Sequence, residues 1–183
     1  MAGVKRSNPK AFETLELRLK ELARVETKIG WFPGAKYETG VPVAYAASLN
    51  EYGHGSTPPR PFFRPTIMQE RTAWAGYAAQ GAKAILRGDR TAFQVMDAIG
   101  GRAQEDVKET INQITSPPLS PITLELRAMK HKDPSLKVTG QTVGIAASRV
   151  NQPGYKLAAG TPTKPLFDTG LLITTLTHVT EAK

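Results

Sequence analysis

Residues Val43–Thr66 read VAYAASLNEYGHGSTPPRPFFRPT. The first half spaces apolar residues helically and meets glycine at Gly53 and Gly55, which predicts a short helix over 42–52 with Val43, Ala46, Ala47 and Leu49 as its apolar positions. The second half holds Pro58, Pro59, Pro61 and Pro65 around Phe62 and Phe63, with Arg60 and Arg64 on either side of the pair. Proline fixes its own φ and biases its predecessor toward extended backbone, so this loop is expected to be stretched out and stiff. Adjacent side chains of an extended segment point to opposite sides. One phenylalanine is therefore expected to pack inward and the other outward. Aromatics and arginine are enriched at interface hot spots, so Arg60, Phe62, Phe63 and Arg64 are candidate subunit or partner contacts. Packing of the loop against its own chain is the competing reading. If the loop is an interface hook, charge reversal at Arg60 and Arg64 should leave the fold intact.

Helical periodicity places a first helix from Pro9 to about Val25, with Asn8 as its cap and an apolar stripe of Phe12, Leu15, Leu19 and Leu22. Thr27–Phe32 (TKIGWF) reads as a strand that stops at Pro33-Gly34. After the proline loop, Ile67, Trp74, Ala78, Ala82 and Ile85 mark one face of a helix reaching Leu86. Thr91-x-x-Gln94 is a capping box for a third long helix, with Phe93, Met96, Ala103, Val107, Ile111 and Ile114 inward. Its Gly100-Gly101 pair costs about 2 kcal/mol against alanine, which predicts a kink or a close helix contact. Ser120 followed by Pro121 starts a further helix to about Lys130. Residues 131–165 are rich in Gly, Pro, Lys and Thr, and are expected to form a long loop or β-arm with a weak strand over Val138–Ile145. Leu171–Val179 is β-branched and fits a terminal strand. The sum is one α+β domain over 1–183. A small antiparallel sheet packs against several helices, and the 131–165 elaboration precedes the last strand.

The chain carries a formal charge of +8, which permits an acidic partner or nucleic acid. Residues 131–167 concentrate the excess: Lys132, Lys137, Arg149, Lys156 and Lys164 stand against Asp133 alone. Of these, Lys132, Lys137, Arg149 and Lys156 join the candidate interface set. No run of five like charges occurs, which argues against a basic nucleic-acid arm. The chain has no cysteine, excluding disulfides and thiolate metal sites. His54, His131 and His178 are scattered, so no metal site is expected. Phosphate-binding glycine loops are absent. No apolar run approaches the roughly 20 residues of a membrane helix. The opening MAGVKRSNPKAF lacks the apolar core of a secretory leader, so assembly in a reducing cytoplasm is expected.

Phe167-Asp168-Thr169-Gly170 matches the active-site phrase of aspartic proteases, where two such loops pair their aspartates. Here no second copy exists and only 13 residues follow Gly170, too few for the strands that chemistry needs. Asp168, Thr169 and Gly170 are read as a structural turn.

Four phrases in order carry a resemblance: VAYAASLNEYG (Val43–Gly53), PPRPFFRPTI (Pro58–Ile67), PPLSPITLELR (Pro117–Arg127) and KPLFDTGLL (Lys164–Leu172). Together they resemble the tail-completion and head–tail joining proteins of long-tailed bacteriophages, the minor tail protein Z-like and virion morphogenesis group. Residues 131–163 depart from that pattern, since family members pass from PLSP to DTG by a shorter route. The resemblance implies a small α+β virion protein that forms a six-fold ring at the head-proximal end of the tail. Its implied partners are copies of itself, tail terminator or tube proteins and head–tail connector proteins, with packaged DNA nearby. It implies no enzyme activity, no cofactor and no membrane. A basic nucleic-acid-binding module is the alternative from the charge alone.

Overall fold

The computed structural model describes residues 9–183, and the fold is α+β. The expected Asn8 cap lies outside the described residues. These residues group into two compact units, each built from separated pieces of chain.

The first unit takes residues 9–35, 63–110 and 176–183. Helix α1 (Pro9–Arg24) runs without a turn into strand β1 (Val25–Gly30), which pairs antiparallel with β2 (Thr177–Ala182). Val25 faces Ala182 and Gly30 faces Thr177. A two-stranded ribbon is marginal by itself. Here one face is charged, with Lys28 bridging Glu26 and Glu181. The other face carries Thr27 and His178, and these meet Gly100 of α4 (Ala92–Gln113) so closely that a Cβ there would collide with both. The glycine pair is thus a seat for the sheet, a contact with strands and not with another helix. Helix α3 (Phe63–Arg87) comes equally close to α4, where a Cβ on Gly81 would overlap Val95.

Polar bonds lock α3 to α4. Trp74 Nε1 of α3 donates to Asp106 Oδ2 of α4 at 2.8 Å, and Arg102, one turn earlier on α4, holds the other oxygen of that carboxylate at 3.0 Å. The Thr66 hydroxyl donates to Thr110 Oγ1 at 2.6 Å. Thr66 and Ile85 are the buried positions of α3, while the expected Ile67 and Ala78 are exposed. Likewise Phe12, Leu19 and Phe93 are exposed, whereas Ala92, Ala103 and Val107 fill the core. The expected capping box holds: Gln94 N–H donates to Thr91 Oγ1 and Thr91 N–H to Gln94 Oε1, each at 3.1 Å.

The second unit takes residues 36–62 and 111–175. It contains α2 (Val43–Tyr52), α5 (Pro121–Lys132), α6 (Gly140–Val150) and the single turn α7 (Leu171–Thr174). Ser120 caps α5 as expected, accepting from the Thr123 N–H. Two local expectations are corrected. The β-arm is absent: residues 140–150 form α6, started by a capping box between Thr139 and Thr142. Valine, threonine and isoleucine suggested a strand, but Thr142, Ala146 and Val150 repeat helically toward the interior, and packing on α5 outweighs β-propensity. The terminal strand also begins later than expected. Thr174 and Thr175 return their hydroxyls to the carbonyls of Gly170 and Leu171, so these β-branched residues close a helical turn. Among the described residues no helix is long and apolar enough to cross a membrane.

Candidate functional site

Helix α2 buries Val43, Ala47 and Glu51, one stripe at four-residue spacing. It ends at Gly53, whose φ of 77° favours glycine. A Cβ there would stand 3.0 Å from the Thr57 carbonyl and 3.1 Å from Pro59, so only glycine lets the chain double back this tightly. His54 and Thr57 exchange backbone bonds across the turn, and Arg60 N–H donates to the Asn50 carbonyl at 2.6 Å. The proline loop therefore returns along α2 and is tied to it.

Its side chains complete the tie. Phe62 is fully buried, and its N–H donates to Glu51 Oε2 at 2.6 Å. Arg60 is only 4% exposed. Its Nε donates to the Pro117 carbonyl at 2.7 Å and its Nη2 to the Pro118 carbonyl at 2.8 Å. A guanidinium presents donors in a rigid planar fork, and two successive proline carbonyls fit it. Burial pushes the Arg60 pKa down, as expected for a cation answered by carbonyl dipoles instead of a carboxylate.

A second arginine repeats the pattern. Arg127, at the end of α5's second turn, donates through Nη1 to the carbonyls of Pro162 and Lys164, both at 3.0 Å. Its Nε lies 3.5 Å from Asp168 Oδ1. Between these anchors Leu166 holds φ at 62°, a left-handed conformation costly for leucine. Burial lowers the Arg127 pKa, Asp168 raises it, and the charge of Arg60 lowers it. Burial and the Asp168 charge together raise the Tyr37 phenol. Asp168 thus serves an ion pair beside a tyrosine. Thr169 accepts from the Leu171 N–H, and Gly170 at φ 77° opens α7, so the three residues form a turn.

The exposed-hook expectation is corrected at two of its four residues. Arg60 and Phe62 lie inside the second unit, where proline stiffness serves internal bonding. Phe63 is half-buried in the first unit, its ring edge-on to Trp31 at 5.7 Å. Arg64 is exposed in the first turn of α3. Glu51, Glu125 and Arg127 were not singled out from sequence. The signal was available for Arg127, which closes the PPLSPITLELR phrase. Nothing in the sequence marks Glu51 or Glu125 among ordinary helix-surface glutamates.

The basic residues divide differently. Lys132, Arg149 and Lys156 are exposed and line one concavity of about 380 Å3 bounded by α5, α6 and the loop that follows α6. Lys137 is exposed but outside it. At its floor the buried Glu125 accepts from Arg149 Nη1 on one oxygen and from the Tyr155 hydroxyl on the other, each at 3.0 Å. Burial, then the bond to Glu125, raises the Tyr155 pKa. Among the described residues no three His, Cys, Asp or Glu side chains are placed to hold a metal ion.

The arrangement is that of an α+β protein with a proline- and arginine-bonded interior and a cationic recess at its surface. Comparison with protein-family models, with curated proteins and with solved structures finds no match.

Proposed function

We propose that this chain is a structural virion protein that completes a phage tail and joins it to the head–neck connector by assembling into a ring. One observation supports the reading. The four phrases that carry the resemblance are bonded to one another: Glu51 of the first holds the Phe62 amide of the second, Arg60 of the second holds Pro117 and Pro118 of the third, and Arg127 of the third holds Lys164 and Asp168 of the fourth. Separated sequence words that meet as one bonded set have a common structural reason to occur together. The function follows from the resemblance, and its mechanism is assembly without turnover.

Closed rings form when heterologous contacts repeat through a rotation that divides a full turn, and six subunits match the tail symmetry that the resemblance implies. Mass photometry of the purified chain, alone and with neck proteins, is expected to resolve hexamers. Monomer under both conditions would overturn the reading.

A further inference from the structure

The recess between α5 and α6 is built, not incidental. Glu125, 7% exposed, has both oxygens occupied, and this fixes Arg149 and Tyr155 around it. Arg149 spends one amino group on that carboxylate, and its remaining donors bond nothing among the described residues. Among the described residues Lys132 and Lys156 make no ion pair. Lys132 and Arg149 occupy the last turns of α5 and α6, where a cation is favourable without any ligand. Lys156 stands in the loop after α6, where helix dipoles give it no such role. Its convergence on the same recess needs another explanation.

The walls narrow the choice of ligand. Met129 and Pro153 contribute apolar surface beside the three cations. A nucleic-acid backbone repeats its charges over a long track and is met by a matching stripe of cations. A single recess of this size takes one or two anionic groups together with something aliphatic. The floor carboxylate also disfavours a doubly charged phosphate more than a carboxylate.

We infer that this recess docks an acidic, partly aliphatic peptide segment of a protein partner, whose carboxylate meets Lys132, Lys156 and the outer edge of Arg149. The inference rests on the assembly reading for the partner's nature and supplies the chemistry of its recognition.

The test is fluorescence anisotropy of the full chain with a fluorescein-labelled peptide alternating aspartate and leucine. Binding is expected to weaken about tenfold in the Lys132→Glu/Lys156→Glu double variant and to be unchanged in Lys137→Glu. If the double reversal lowers the melting temperature, Lys132→Gln/Lys156→Gln replaces it with the same expected direction. Equal binding of a peptide with asparagine for aspartate would overturn the inference. So would tighter binding of an oligothymidylate, or indifference to the double variant. Mass photometry on the same samples separates the two ideas. Rings without peptide binding sink the docking site and leave the assembly reading standing. Peptide binding by a permanent monomer does the reverse.

Discussion

The second unit contains two groups of cations with opposite fates. Arg60 and Arg127 point inward and are answered mainly by backbone carbonyls, four of them in all. Lys132, Arg149 and Lys156 point outward around a recess, where Arg149 alone bonds a carboxylate, that of Glu125. Residue type does not separate these groups, since both contain arginine. What separates them is the local supply of acceptors. Proline has no N–H but keeps its carbonyl, so a proline-rich loop cannot satisfy its own acceptors by forming helix or sheet. Three of the four carbonyls bonded by the inner arginines belong to prolines. The inner arginines are the donors such loops require, while α5 and α6 satisfy their own backbone and leave Lys132 and Arg149 exposed at their ends.

The comparison breaks most easily at Arg60. Arg60→Ala leaves the part-buried Pro117 and Pro118 carbonyls without their guanidinium donor and is expected to destabilise by about 3 kcal/mol. That lowers the melting temperature by roughly 6–12 °C in a chain of this size. Arg60→Lys should recover little, because an ammonium cannot reproduce a planar fork. The hook reading expects Arg60→Glu to be harmless, whereas burial of a carboxylate against two carbonyls is expected to abolish folding of this unit. Circular dichroism of the purified variants checks all three.

A smaller loss is expected at Glu51→Gln, about 1–2 kcal/mol in urea denaturation, because a charge-assisted bond to the Phe62 amide becomes a neutral one. Gly53→Ala should cost about 1 kcal/mol or more from its positive φ, with the crowding at Thr57 and Pro59 added. In contrast, Lys132→Ala and Lys156→Ala should each stay within about 0.5 kcal/mol of the parent.

Tyr155 gives the mildest test. Its folded pKa is raised, so the protonated phenol is the form the fold favours. The stabilisation it contributes is fully present below the ordinary tyrosine value near pH 10 and is lost as pH rises through the higher folded value. Absorbance titration at alkaline pH should show two tyrosines ionising late, Tyr37 and Tyr155, and Tyr155→Phe should remove one of the two.

Much of the fold was legible. The capping pairs Thr91/Gln94 and Ser120/Pro121 marked helix starts because capping is local chemistry between residues three apart. Phe62 packs inward as alternation suggested, but Phe63 opens α3 and is half-buried against Trp31 instead of pointing outward. Helix α6 was hidden because valine, threonine and isoleucine spoke for a strand, and the surface that overrides them, α5, is not adjacent in sequence. Exposure of Phe12, Leu19, Ile67 and Phe93 was equally hidden, since periodicity shows that an apolar stripe exists but not whether the chain covers it. At the site, the excess of cations over 131–167 pointed to Lys132, Arg149 and Lys156 of the recess, and to Lys137 outside it. The hot-spot reading of the proline loop put Arg60 at an interface, because residue type says nothing about which carbonyls lie within reach.

The most direct measurement is an electron cryomicroscopy reconstruction of the assembled particle containing this chain. The expected result is a six-fold ring in which Lys132, Arg149 and Lys156 face acidic residues of a neighbouring protein while Arg60 and Arg127 stay inside their own protomer. A subunit boundary running through Arg60, or a recess open to solvent in the finished assembly, would contradict it.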